Sequence, residues 1–161
     1  MARSQARKQT LLDIFTTAME GGIGYWSICL QYRWQLPDDG GEDLDGFHAI
    51  VVADEDWEEA VDDAQDAVPA SRESGRPKRS EVRALLQERG QEHRIDANVI
   101  ARGLNRLAKG DCTWGGKPMD RAGPCCALAR LINRSPDDAD YDADDVDNIV
   151  QAGLFGDVRY G

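Results

Sequence analysis

The clearest periodicity in the chain lies between residues 24 and 34. Trp26, Ile28, Leu30, Tyr32 and Trp34 share one parity, while Ser27, Gln31 and Arg33 share the other with Tyr25 and Cys29. A period of two marks a strand with one face buried. Residues 47–53 (FHAIVVA) are more continuously apolar and predict a second, more deeply buried strand. The connector 35–46 holds Pro37, Gly40, Gly41 and five acidic groups, which predicts a long exposed hairpin loop.

Helical spacing dominates elsewhere. Leu11, Leu12, Phe15, Ala18 and Met19 predict a first helix, with Thr10 and Asp13 as a capping box and Gly21 and Gly22 as its end. Residues 54–66 combine eight acidic groups with Trp57, Ala60, Val61 and Ala64, a short acidic helix with a thin apolar stripe. Residues 69–80, with Gly75 and Pro77, read as a mobile linker. Ser80 is the expected cap of a helix through Arg89, with Val82, Leu85 and Leu86 inward and Gly90 as the stop. Asp96 caps a helix whose Val99, Ile100, Leu104 and Leu107 face the core, ahead of Gly110. Pro124 suits a first helical turn. Asp142 opens a last helix carrying Val146, Ile149 and Val150 and closed by Gly153. The apolar tail, residues 154–161, is a candidate further strand. The expected architecture is α+β. One domain spans residues 1–161, in which a small antiparallel sheet (hairpin 24–34/47–53) packs on several helices, with an acidic segment and mobile linker at 54–80.

Charge changes this picture more than composition does. The chain has 161 residues, 41% of them hydrophobic, and a net charge of -11. Residues 35–70 hold thirteen acidic groups and no Lys or Arg, so this window alone exceeds the net charge. Residues 71–110 hold ten basic groups against five acidic ones. A block of like charge is either a solvated loop or a surface for a basic partner. Direct nucleic-acid binding is not expected, because the acidic window precedes the basic one and would repel phosphate unless the two lie far apart. No apolar run is long enough to span a membrane. The basic N-terminus lacks the apolar stretch of a secretion signal, which places the chain in the cytosol with its four cysteines reduced.

Candidate chemistry is sparse. Asp138, Asp140, Asp142 and Asp144 alternate as in a calcium loop, but the glycine and glutamate such a loop needs are missing, and helix capping is the expected role. Gly21, Gly22 and Gly24 lie between a helix and a strand, the reverse of a phosphate loop. Gly22, Gly24, Tyr25 and Trp26 are the candidate ligand pocket, for instance for a nucleotide. Cys29 and His48 lie on adjacent expected strands. Cysteine is expected to be filler, and no catalytic set, metal site or cofactor is expected.

Three stretches resemble a group of small proteins of actinobacteria and their phages. They are the run from Gly21 to Trp26 (GGIGYW), the run from Ile95 to Asp111 (IDANVIARGLNRLAKGD), and the run from Asp142 to Gly161 (DADDVDNIVQAGLFGDVRYG). The resemblance implies an actinobacterial or phage origin, hence a host cytosol, and brings no activity with it. The expectation is a non-enzymatic phage or mobile-element protein that engages a host protein with a basic surface. Trp57, Glu58, Glu59, Asp62, Asp63 and Asp66 are the expected face, in the manner of a nucleic-acid mimic. A nucleotide-sequestering protein is the alternative, and an enzyme without a recognisable motif the third.

Overall fold

A computed structural model describes residues 2–33 and 44–161. Trp34 and most of the 35–46 connector lie outside the described residues. The fold is α+β, as the periodicities predict. A three-stranded antiparallel sheet is formed by β1 (Ser27–Arg33), β2 (His48–Ala53) and β3 (His93–Asp96), in the order β1-β2-β3. The helices are α1 (Gln5–Thr17), α2 (Asp54–Asp66), α3 (Arg79–Glu88), α4 (Ala97–Lys109), α5 (Pro124–Arg134) and α6 (Ala143–Phe155). A second small sheet joins β4 (Thr113–Trp114), β5 (Lys117–Pro118) and β6 (Asp157–Val158). The C-terminal tail therefore does form a strand, but it pairs in parallel with β4 and not with the hairpin.

The central strand β2 explains why its sequence is continuously apolar: both of its faces are covered. Ala49, Val51 and Ala53 join the larger core with Leu11, Ile14, Phe15, Ile100, Leu104 and Val150. Val52 faces the other way, into a smaller core with Ala60, Ala64, Val82 and Leu86. Helices α1, α4 and α6 thus cover one face of the sheet, and α2 with α3 the other.

In β1 the single expected parity breaks. The register shifts between Cys29 and Gln31, a bulge that adds one residue and exchanges the faces beyond it. Ile28 and Leu30 pack on the smaller core. Tyr32, past the bulge, stacks on Phe15 of α1 with ring centroids 5.7 Å apart. Trp26 precedes the strand and belongs to the larger core. Strand β3 has four residues with one buried apolar side chain, Ile95, too short to show a period.

Four expected helix boundaries are corrected. Helix α1 starts six residues earlier, nearly two turns, where the Ser4 hydroxyl accepts from the Arg7 amide at 3.2 Å. Thr10 is buried inside the helix and its hydroxyl donates to the Ala6 carbonyl at 3.0 Å. Gly21 and Gly22 do not form a left-handed end; the helix widens into a π-helical turn, Ala18–Gly22. Ser80 lies within the first turn of α3, and the Glu81 carboxylate accepts the Lys78 amide at 2.6 Å instead. Helix α6 continues through Gly153 and ends at Gly156, whose φ of 69° is the left-handed cap. Gly153 serves close packing: a Cβ there would overlap the Val99 carbonyl of α4, and one at Gly103 the Ile149 carbonyl of α6. The two helices meet backbone to backbone at this glycine pair. Other boundaries agree with expectation. Asp96 accepts from the Asn98 and Val99 amides, Gly110 caps α4 at φ 67°, and Pro124 opens α5.

Residues 67–78 are a string of turns tied to their flanks. The Arg72 guanidinium grips both Glu81 oxygens at 2.7 Å, and Gln65 donates to the Gly75 carbonyl at 2.6 Å.

Candidate functional site

Helix α2 carries most of the acidic block, and its geometry sorts the charges. Successive residues turn by ~100°, so Glu55, Glu59, Asp62 and Asp66 form one stripe, flanked by Glu58 and Asp63. The opposite side holds Ala60 and Ala64, both buried, and half-buried Trp57, seated on Val52, Val82 and Leu86. Of the six residues expected to form an acidic face, Glu58, Glu59, Asp62, Asp63 and Asp66 are exposed. Trp57 is instead an anchor between the helices, with the Arg79 guanidinium over its ring at 6.0 Å. Beside it Val61, Gln65, Arg76 and Pro77 complete a cleft of about 420 Å³.

The downstream basic segment neutralises little of this stripe. Arg72 pairs with Glu81, Arg83 with Glu92 and Arg94 with Asp96, all within the segment. Among the described residues only Arg89 pairs with an α2 carboxylate, that of Asp63. Glu58, Glu59, Asp62 and Asp66 make no ion pair or hydrogen bond among the described residues.

On the other side of the sheet lies a group of residues that spacing did not single out. Asp147 is 2% exposed and accepts three hydrogen bonds: from the Trp26 indole at 2.7 Å, the Tyr25 hydroxyl at 2.6 Å and the Gln151 amide at 2.5 Å. Gln151, fully buried, also binds the tail. Its oxygen accepts from the Arg159 and Tyr160 amides at 2.7 and 2.8 Å, and its nitrogen donates to the Tyr160 carbonyl at 2.8 Å. The Tyr160 ring stacks flat on Trp26 at 4.8 Å. Burial pushes the Asp147 carboxyl above the usual carboxylate range, against the pull of its three donors. Burial and the same carboxylate push the Tyr25 phenol upward as well. Asp147 and Gln151 stand four positions apart in α6, buried with Val146, Ile149 and Val150. Two polar groups one turn apart on a buried face were the available signal.

The three stretches that carry the resemblance meet here and at the glycine pair. Of the candidate pocket, Gly22 packs on the start of α6, Gly24 is exposed, and the Trp26 ring is covered by Tyr160. The amides of Ile23, Trp26 and Ser27 bond within the turn, to the Ala18 and Ile23 carbonyls.

The remaining titratable groups stay apart. Cys29 lies opposite Val51, and His48 opposite Arg33, so the two do not meet. Burial pushes the Cys112 and Cys125 thiols up to about 11 and about 12, which disfavours thiolate chemistry. His93 sits edge-on to Phe155 at 5.1 Å, and burial lowers its pKa. Asp142 accepts the Asp144 and Asp145 amides at 3.0 Å, the capping role expected of it. No group of three or more His, Cys, Asp or Glu among the described residues is placed to hold a metal ion. No helix among them is long and apolar enough to cross a membrane. No family model matches the chain, and no curated protein or solved structure matches it.

Proposed function

We propose that the chain is a non-enzymatic binding protein that engages a basic protein surface through helix α2. Four exposed carboxylates without an internal partner, on a helix fixed by its own small core, carry this reading. The arrangement opposes folding. Like charges one turn apart destabilise a helix by roughly 0.2–0.5 kcal/mol per pair, and Glu55–Glu59, Glu58–Asp62, Glu59–Asp62 and Asp62–Asp66 are such pairs. Asp63 and Asp66 also stand near the negative end of the helix dipole. Glu55 accepts from the Tyr160 hydroxyl and Asp63 pairs with Arg89, but Glu58, Glu59, Asp62 and Asp66 cost stability without a hydrogen bond or ion pair among the described residues, which fits an external partner. Its class is a protein whose groove is lined with Arg and Lys, such as a host nucleic-acid-binding protein if the chain is phage-encoded. A rigid acidic row chiefly raises the rate and specificity of that encounter.

The test compares the wild type with E59Q/D62N/D66N in capture from host lysate. A partner held at roughly 50 mM salt is expected to be released near 300 mM, where charges are screened within about 6 Å, and not to be captured by the variant. Equal capture by the variant, or capture indifferent to salt, overturns the reading.

A further inference from the structure

The fold divides the basic window: its α3 part packs against the acidic helix α2, while Arg102, Arg106 and Lys109 lie on α4, across the sheet from it. Helix α2 is on one face of the sheet and α4 on the other, two layer spacings apart, on the order of 20 Å. That is more than two Debye lengths of roughly 8 Å at physiological ionic strength. What faces solvent around α4 is basic. Its outer side forms a groove of about 400 Å³ lined by Asn98, Arg102, Asn105, Arg106 and Lys109. The surface continues onto α1 and α5. Arg7 donates to the Asn133 amide oxygen at 2.8 Å, Asn133 reaches Asn105 at 3.5 Å, and Arg130 donates to the Ala108 carbonyl at 3.0 Å.

These cations keep donors to offer. Arg102 donates through Nε to the Gly153 carbonyl, and its two terminal nitrogens have no partner among the described residues. Arg106 donates through one terminal nitrogen to the Ala152 and Gly153 carbonyls, leaving Nε and the other terminal nitrogen. Lys109 is exposed and likewise unpaired there. The one acid lining the groove, Asp111, faces Arg121 at 3.6 Å. We infer that the outer face of α4, with its α1 and α5 flanks, binds the phosphodiester backbone of a nucleic acid. Guanidinium forks and a lysine match phosphate oxygens, and the asparagine amides between them can meet sugar or base edges. An anionic membrane fits less well, because the exposed large apolar side chains of the described residues, Tyr25, Tyr32 and Trp114, do not line this groove.

The experiment is fluorescence anisotropy of the full chain with labelled duplex DNA, single-stranded DNA and RNA of about 20 nucleotides at roughly 50–200 mM salt. Three or four phosphate contacts predict a duplex slope of log K against log salt of about -3. N105D and K109E, neither of which removes a hydrogen bond into the core, should each weaken binding about tenfold while both stay folded, K109E unfolding at a slightly lower temperature because a carboxylate then stands at the negative end of α4. E59Q/D62N/D66N should bind as the wild type does. The inference is overturned if no arm binds, or if N105D and K109E bind as tightly as the wild type. It is also overturned if vesicles containing phosphatidylserine bind and the oligonucleotides do not. Salt-sensitive self-association abolished equally by K109E and by E59Q/D62N/D66N would overturn it too, since the groove would then hold the acidic helix of a second copy.

Discussion

Two acidic runs stand in this chain, residues 54–66 and 137–147, and the fold treats them in opposite ways. In the second, Asp142 and Asp145 cap α6 reciprocally, and Asp147 is drawn into the core to collect three donors. In the first, Asp56 accepts from Gln91 at 2.8 Å and Asp63 pairs with Arg89, while most of the others face solvent unpaired. Density of charge does not distinguish the two runs. What does is the supply of donors. Tyr25, Trp26 and Gln151 all turn donors on Asp147, whereas of the arginines beside α2 Arg72 and Arg83 are held by glutamates of their own segment and only Arg89 pairs with an α2 carboxylate. One run is part of the structure, and the other is left for something outside it.

The largest effect that can break this contrast is removal of Asp147. In D147A the Trp26 indole, the Tyr25 hydroxyl and one Gln151 donor lose their common acceptor inside the protein. Each buried donor left unsatisfied costs about 1–3 kcal/mol. We expect D147A to lose about 3 kcal/mol or more in denaturant unfolding, with the tail released from Trp26. The triple variant E59Q/D62N/D66N should stay within about 0.5 kcal/mol of the wild type, or gain slightly from relieved repulsion. Comparable losses in the two would show that the α2 carboxylates are structural after all.

The contrast also shows where sequence reasoning reaches. Periodicity places α2 at its observed bounds, and cap chemistry locates the start of α4 at Asp96 and of α5 at Pro124, because these signals are local. The bulge after Cys29 is invisible to periodicity: it depends on how β1 registers against β2. Gly153 reads as a stop, since a glycine required by a neighbouring backbone looks the same in sequence as one required by a turn. Asp147 and Gln151 escape for a similar reason. Their partners lie 121 or more residues upstream in the case of Tyr25 and Trp26, and in the tail. Of the candidate site, the acidic stripe was legible because it needs only one helix; the basic face was not, because it is assembled from three.

A smaller effect sharpens the comparison within the second run. Asp142 is exposed like the α2 acids but accepts two first-turn amides. D142A should cost about 1 kcal/mol, the usual value of an N-cap, and D62A on α2 close to nothing. Denaturation midpoints at constant m-value would measure both.

The smallest effects are in pH dependence, where two carboxyls should pull in opposite directions. Asp147 is held above its ordinary value of 3.8, so between that value and its folded pKa the native state keeps a proton that the unfolded chain has lost. Its contribution to stability therefore falls as pH rises through that window, and the wild type should lose ground against D147N there and level off above it. Glu81, gripped by Arg72 and by the Lys78 amide, is held down to about 2 from 4.5. Its contribution is fully present above 4.5 and is lost as pH falls toward 2, so the wild type should lose ground against E81Q on acidification. Because Glu81 is at the surface, its curve should flatten in high salt while that of Asp147 persists. Curves with the same sign would mean that the Asp147 network favours the carboxylate after all, its three donors outweighing burial.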